Sequence, residues 1–200
     1  MAIGTWGGSV ATTVRSAIFT ALTIVTTTGY VTADFGLWIP ALGIMIVGLM
    51  FVGAMAGSTA GAIKTDRLHI LYEASRTDVR RLIHPHGVFV TRVGKSPVPD
   101  LVVETVQTFF LLYMFAFMTG TFLMAIIGSI SGTEIDFITT VTAVATSLGN
   151  VGPGLGDVGP TGNYLGIPWA GKWLLASLMI VGRIEILPIL ILFNREVWRK

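Results

Sequence analysis

The sequence predicts an all-α integral membrane protein with about three transmembrane helices and two shorter apolar helices. Three observations carry that prediction. Hydrophobic residues make up 52% of the 200 residues and charged ones only 12%, about half the usual charged share. The charges are clustered, leaving two 29-residue windows with none, between Asp34 and Lys64 and between Glu104 and Glu134. Each window exceeds the ~20 residues that cross a bilayer core. Glycine is abundant, at 24 residues, which suits close helix packing in lipid and irregular backbone inside a bundle. The mean hydropathy of +0.77 excludes a disordered chain. A net charge of only +2 excludes a basic nucleic-acid-binding domain despite a pI near 9.2. The absence of cysteine excludes disulfides, thiolate metal sites and a cysteine nucleophile.

Taken in order, the chain opens at 1–8 without the basic start and apolar core of a cleavable signal peptide, so none is expected. Residues 12–28 are threonine-rich and moderately apolar, and run into Gly29. Residues 136–148 repeat that character ahead of Gly149 and Gly152. At ~1.5 Å per residue such a helix covers roughly 20 Å of a ~30 Å core. It is therefore either a re-entrant segment or an interfacial helix, which periodicity does not separate. Spans are expected over 38–62, 101–129 and 171–194, the last carrying Arg183 and Glu185. Residues two apart on a helix point away from each other, so this pair needs partners elsewhere. Seven of the 13 basic residues lie between Lys64 and Lys95, which places that connection in the cytoplasm together with Arg195, Arg199 and Lys200. The opposite face carries Asp34, Glu134, Asp136 and Asp157, with Lys172 as its clear basic residue. An acidic rim there would concentrate cations at an entrance; the alternative is ordinary solvated loop residues.

An internal repeat singles out two loops. A shift of 123 residues superimposes Thr23 on Thr146, Gly29 on Gly152, Asp34 on Asp157 and Gly36 on Gly159. At its centre stand Thr26, Thr27, Thr28, Gly29 and Tyr30, and Asn150, Val151, Gly152, Pro153 and Gly154. A permeating cation must exchange its hydration shell for oxygen ligands, and carbonyls in an extended loop supply them. Glycine permits the backbone conformation required, threonine hydroxyls add ligands or brace the loop, and the C-terminus of the preceding helix carries partial negative charge. Gly53, Gly57 and Gly61 form a tandem GxxxG, which on spacing alone reads as a helix-packing face. Three further patterns carry no chemistry. A GxGxxG at Gly154–Gly159 is followed by Pro160, the phosphate-loop-like stretch at 57–65 has the wrong spacing, and His69, His84 and His86 have no converging ligands. No nucleophile–base pair stands out, and an enzyme is not expected.

The stretches Thr26–Phe35, Ala56–Lys64, Leu82–His86, Asn150–Gly156 and Gly182–Ile186 together closely resemble Trk-type potassium uptake proteins of the Trk/Ktr/HKT superfamily. The resemblance covers nearly the whole chain. It implies repeats of helix, pore helix and helix with re-entrant filter loops, four such loops surrounding one K+ pathway. This chain matches the end of that plan: a partial third repeat over 1–63, a cytoplasmic connection over 64–99 and the fourth repeat over 100–200. The resemblance further implies K+ coordination at Thr26, Thr27, Thr28, Gly29, Asn150, Val151, Gly152 and Pro153. It implies a gate made by the unwound loop Gly57, Ser58, Thr59, Ala60 and Gly61 with Arg183, and glycine in both loops favours K+ over Na+. Glu185 is expected to pair with a neighbouring helix. Asp34 and Asp157 would form the outer acidic rim. K+ is the expected transported ion, with no organic cofactor. The expected location is the cytoplasmic (inner) membrane. Expected partners are the bilayer, the remainder of the subunit or a second copy, a homodimer mate and a cytosolic nucleotide-binding regulatory subunit that docks on 64–95 and the C-terminal basic residues. Two loops cannot enclose an ion, so the competing reading is a non-transporting helical module that serves assembly.

Overall fold

A computed structural model describes residues 10–193 and residue 198. The opening at 1–8, the last residue of the 171–194 span and the basic residues Arg195, Arg199 and Lys200 lie outside the described residues. Seven helices follow in order: α1 (Val10–Val25), α2 (Pro40–Met50), α3 (Thr65–Ile83), α4 (Asp100–Ile130), α5 (Phe137–Gly149), α6 (Trp169–Ile184) and α7 (Ile186–Phe193). Two small pairings complete the architecture: parallel β1 (Val52–Gly53) with β2 (Ile63–Lys64), and antiparallel β3 (Arg92–Val93) with β4 (Ser96–Pro97).

The helix ends follow from local chemistry. Pro40 opens α2 at a position where a missing N–H costs nothing. Asp136 caps α5 by accepting from the backbone N–H of Ile138. Among the described residues one helix, α4, is by itself long and apolar enough to cross a membrane. The 13-residue α5 is the centre of the molecule. From Thr139 to Gly149 it is buried at every position but the half-buried Val141, enclosed by α2, α4 and α6. Its Val144 and Leu148 share a core with Phe109, Tyr113 and Met124 of α4 and Leu175 and Leu178 of α6. A second core joins Ile24 of α1, Ile46 and Met50 of α2, and Val151.

Two expected spans depart from continuous helix. The stretch 38–62 is helical only over Pro40–Met50, then leaves the helix and returns through the β1–β2 pairing, which closes a loop over 54–62. Gly53 and Gly61 therefore do not lie on a helix-packing face; they line the two limbs of that loop. The stretch 171–194 breaks at Glu185, where φ is +69°, separating α6 from α7. Pro188 explains the break: its ring clashes with the carbonyl four residues earlier, at Ile184, and it has no N–H to donate. The connection after α3 is more structured than a bare linker. It turns at His84–His86, with Gly87 N donating to His84 O at 2.9 Å, and then forms the β3–β4 hairpin.

Candidate functional site

The 123-residue repeat is reproduced in the backbone. The turn that follows α1 holds Thr27 in the left-handed conformation (φ +53°), and the residue that caps α5, Asn150, adopts the same one (φ +55°). Thr28 N donates to Thr23 O at 3.0 Å and Val151 N to Thr146 O at 2.9 Å, the closing bond of a helix C-cap. Gly29 (φ +76°) and Gly152 (φ +111°) follow, both in conformations that disfavour a side chain. The two corners meet. A Cβ on Gly29 would lie 2.5 Å from Val151 O, and one on Gly152 would lie 3.8 Å from Gly29 Cα.

Carbonyl availability divides the eight expected ion-binding residues. Among the described residues no protein donor reaches the carbonyls of Thr26, Thr27, Thr28, Gly29, Asn150 or Val151. Gly152 O accepts from Tyr164 Oη at 2.8 Å, and Pro153 O from Thr146 Oγ1 at 3.3 Å. Burial pushes the Tyr164 phenol up to about 12, so it remains a donor at any physiological pH.

Threonines hold the second loop from behind. Thr139, Thr142 and Thr146 recur at helical spacing along one face of α5. Their hydroxyls accept from Asp157 N (3.0 Å), Leu155 N (3.0 Å) and Gly152 N (2.8 Å). Threonine bracing is expected from the residue types in general but not at these three positions; their i, i+3, i+7 spacing is the signal that names them. In the first loop Thr26 Oγ1 donates to Leu22 O at 2.6 Å and lies 2.7 Å from Thr28 Oγ1.

The loop over 54–62 lies against these corners. Gly61 N donates to Thr27 Oγ1 at 3.1 Å, and a Cβ at Gly61 would overlap Gly149 O at the end of α5. Arg183 Nη1 donates to Thr59 O, so the intramembrane arginine and the loop are brought together. A cavity of about 240 Å³ lies between Ser58, Thr59 and Ala60 on one side and Gly182, Arg183 and Glu185 on the other. Glu185 pairs with Lys64 at 3.4 Å and Arg67 at 2.6 Å, both from the segment that follows the loop. Two residues that sequence reasoning missed also hold the loop. Asp66 Oδ2 accepts from Ala56 N at 2.6 Å, and Thr65 Oγ1 donates to Gly53 O at 2.6 Å.

On the other face Asp34 is engaged rather than free. Its Oδ1 accepts from Gly36 N at 2.9 Å and its Oδ2 from Thr161 Oγ1 at 3.0 Å, tying the two repeats together. Asp157 lines a cavity of about 530 Å³ with Glu134, Thr161 and Asn163. No cluster of three or more potential metal ligands from His, Asp or Glu occurs among the described residues.

The family model described as a cation transport protein, TrkH, matches residues 8–199. The Trk system potassium uptake protein TrkH of Halomonas elongata is 36% identical over 186 residues, covering 93% of this chain and 37% of that protein. That of Escherichia coli K12 is 31% identical over 188 residues, covering 94% and 37%. The crystal structure of the potassium transporter TrkH from Vibrio parahaemolyticus superimposes with a TM-score of 0.80 at 33% identity, covering 96% of this chain and 39% of that one. The chain thus spans a little over a third of the length of the relatives it matches. The all-α membrane fold agrees with these matches, and the chain belongs to the TrkH family of cation transport proteins.

Proposed function

We propose that this chain supplies two filter loops and a gate to a K+ pathway across the cytoplasmic membrane. The remaining loops come from the rest of a longer subunit or from a second copy. The observation that carries the reading is the pair of touching corners at Gly29 and Val151, whose neighbouring carbonyls accept from no protein donor among the described residues. Carbonyls left without a protein donor are open to other partners, and a dehydrated cation satisfies several at once. Thr26, Thr27, Thr28, Gly29, Asn150 and Val151 offer main-chain ligands. Gly152 and Pro153 keep one carbonyl lone pair each beside their protein donors, and both hold the loop in shape. The C-termini of α1 and α5 direct their negative dipole ends at the ion.

Below the corners, the loop of Gly57, Ser58, Thr59, Ala60 and Gly61 obstructs the pathway. Arg183 holds it by its bond to Thr59 O and adds a positive charge that opposes cation passage. Asp157 and Glu134, with Asp34 nearby, make the outer mouth acidic. The 64–95 connection faces the cytoplasm, where a nucleotide-binding regulatory subunit docks, and the full subunit pairs as a homodimer. The chain does no covalent chemistry.

Rubidium uptake by cells lacking potassium transport, supplied with the intact gene product, tests this reading. Uptake that Gly29→Ala and Gly152→Ala abolish, with protein still present in the membrane, supports it. Uptake unaffected by both substitutions contradicts it, and absence of uptake by the parent protein favours the assembly module.

A further inference from the structure

We infer that the first turn of α3 is a latch for the loop over 54–62, with Asp66 and Thr65 as the residues that position it. The inference rests on the gating reading above and adds how the gate is held. Two consecutive residues make three bonds to one limb of the loop: Thr65 Oγ1 to Gly53 O (2.6 Å), Thr65 N to Ala54 O (3.3 Å) and Ala56 N to Asp66 Oδ2 (2.6 Å). A carboxylate in the first turn of a helix ordinarily serves that helix's own N–H groups. Asp66 instead reaches ten residues back, and α3 has no side-chain cap. A backbone N–H donating to an ionised carboxylate is among the stronger hydrogen bonds.

The same turn grips the opposite side of the loop through the last span. Lys64 and Arg67 hold Glu185, two residues beyond Arg183, which in turn holds the loop tip at Thr59. Arg67 also lies over the Phe109 ring at 4.1 Å, fixing the turn to α4. A shift or rotation of α3 therefore loosens the near limb directly and the tip through Glu185. Anything that binds the 64–95 connection has a mechanical route to the gate.

Cysteine accessibility in the intact gene product, freed of any other cysteine, tests the latch. Ala60→Cys supplies a single thiol in the loop. In that background Asp66→Ala and Thr65→Val each raise the rate of thiol modification about tenfold, the shift expected from losing a hydrogen bond that holds one of two states. Both also raise basal rubidium uptake, while Thr65→Ser keeps the parent rate because it keeps the hydroxyl. An unchanged rate in folded Asp66→Ala, or equal acceleration by Thr65→Ser and Thr65→Val, overturns the latch. If Asp66→Ala is not recovered as monodisperse protein, the Thr65 pair decides. The modification rate is read without a transported ion, so loss of uptake by the parent protein would count against the K+ reading and not against the latch.

Discussion

At Gly29 two constraints coincide: a φ of +76° and a neighbouring carbonyl 2.5 Å from any added Cβ. Gly29→Ala therefore forces the two corners apart, and rubidium uptake should fall to background while membrane levels persist. Thr146 makes the complementary contribution from the helix side, accepting from Gly152 N at 2.8 Å. Thr146→Val removes that hydrogen bond, worth about 1 kcal/mol. It should lower the thermal midpoint in detergent and weaken discrimination between rubidium and sodium, whereas Thr146→Ser should preserve both. The glycines were legible in the sequence because glycine alone adopts a positive φ without steric cost. The left-handed residue just before one of them was not. Asn150 suits that conformation, but Thr27 is β-branched and disfavours it, and only the matching cap at the other corner reveals it.

The elements show which sequence signals survive tertiary packing. Both short helices and the long central span stand where composition and charge put them. The unwound stretch after Met50 was not readable from hydropathy, since Val52–Ile63 is as apolar as a helix that spans. Its loop is stabilised by bonds from Thr27, Thr65, Asp66 and Arg183, all distant in sequence or outside the apolar run. The break at Glu185 was readable through Pro188, which stands three residues beyond it in an otherwise apolar run. That break lets one carboxylate face both Lys64 and Arg67 at partial burial. Glu185→Gln should therefore lower the thermal midpoint measurably. Removing the exposed i, i+3 partner in Arg76→Gln, opposite Glu73, should leave it unchanged, as isolated surface pairs contribute little.

Across the whole molecule the two repeats differ in what surrounds them. Helix α5 is enclosed, while α1, its counterpart, leaves Val14, Ile18 and Leu22 exposed at 51%, 55% and 58%, one turn apart on a single face. Such an apolar stripe is covered by lipid or by further protein. Ile18→Asp in the intact gene product should lower the yield of assembled protein, whereas Leu82→Asp, at the more exposed C-terminal end of α3, should not. The most direct measurement is anomalous diffraction from crystals of the intact protein soaked in thallium or rubidium. Scattering peaks bound by the carbonyls of Thr26–Gly29 and Asn150–Gly152 are the predicted result. Peaks confined to the carboxylates of Asp34, Glu134 and Asp157, with no ion at the two corners, would contradict it.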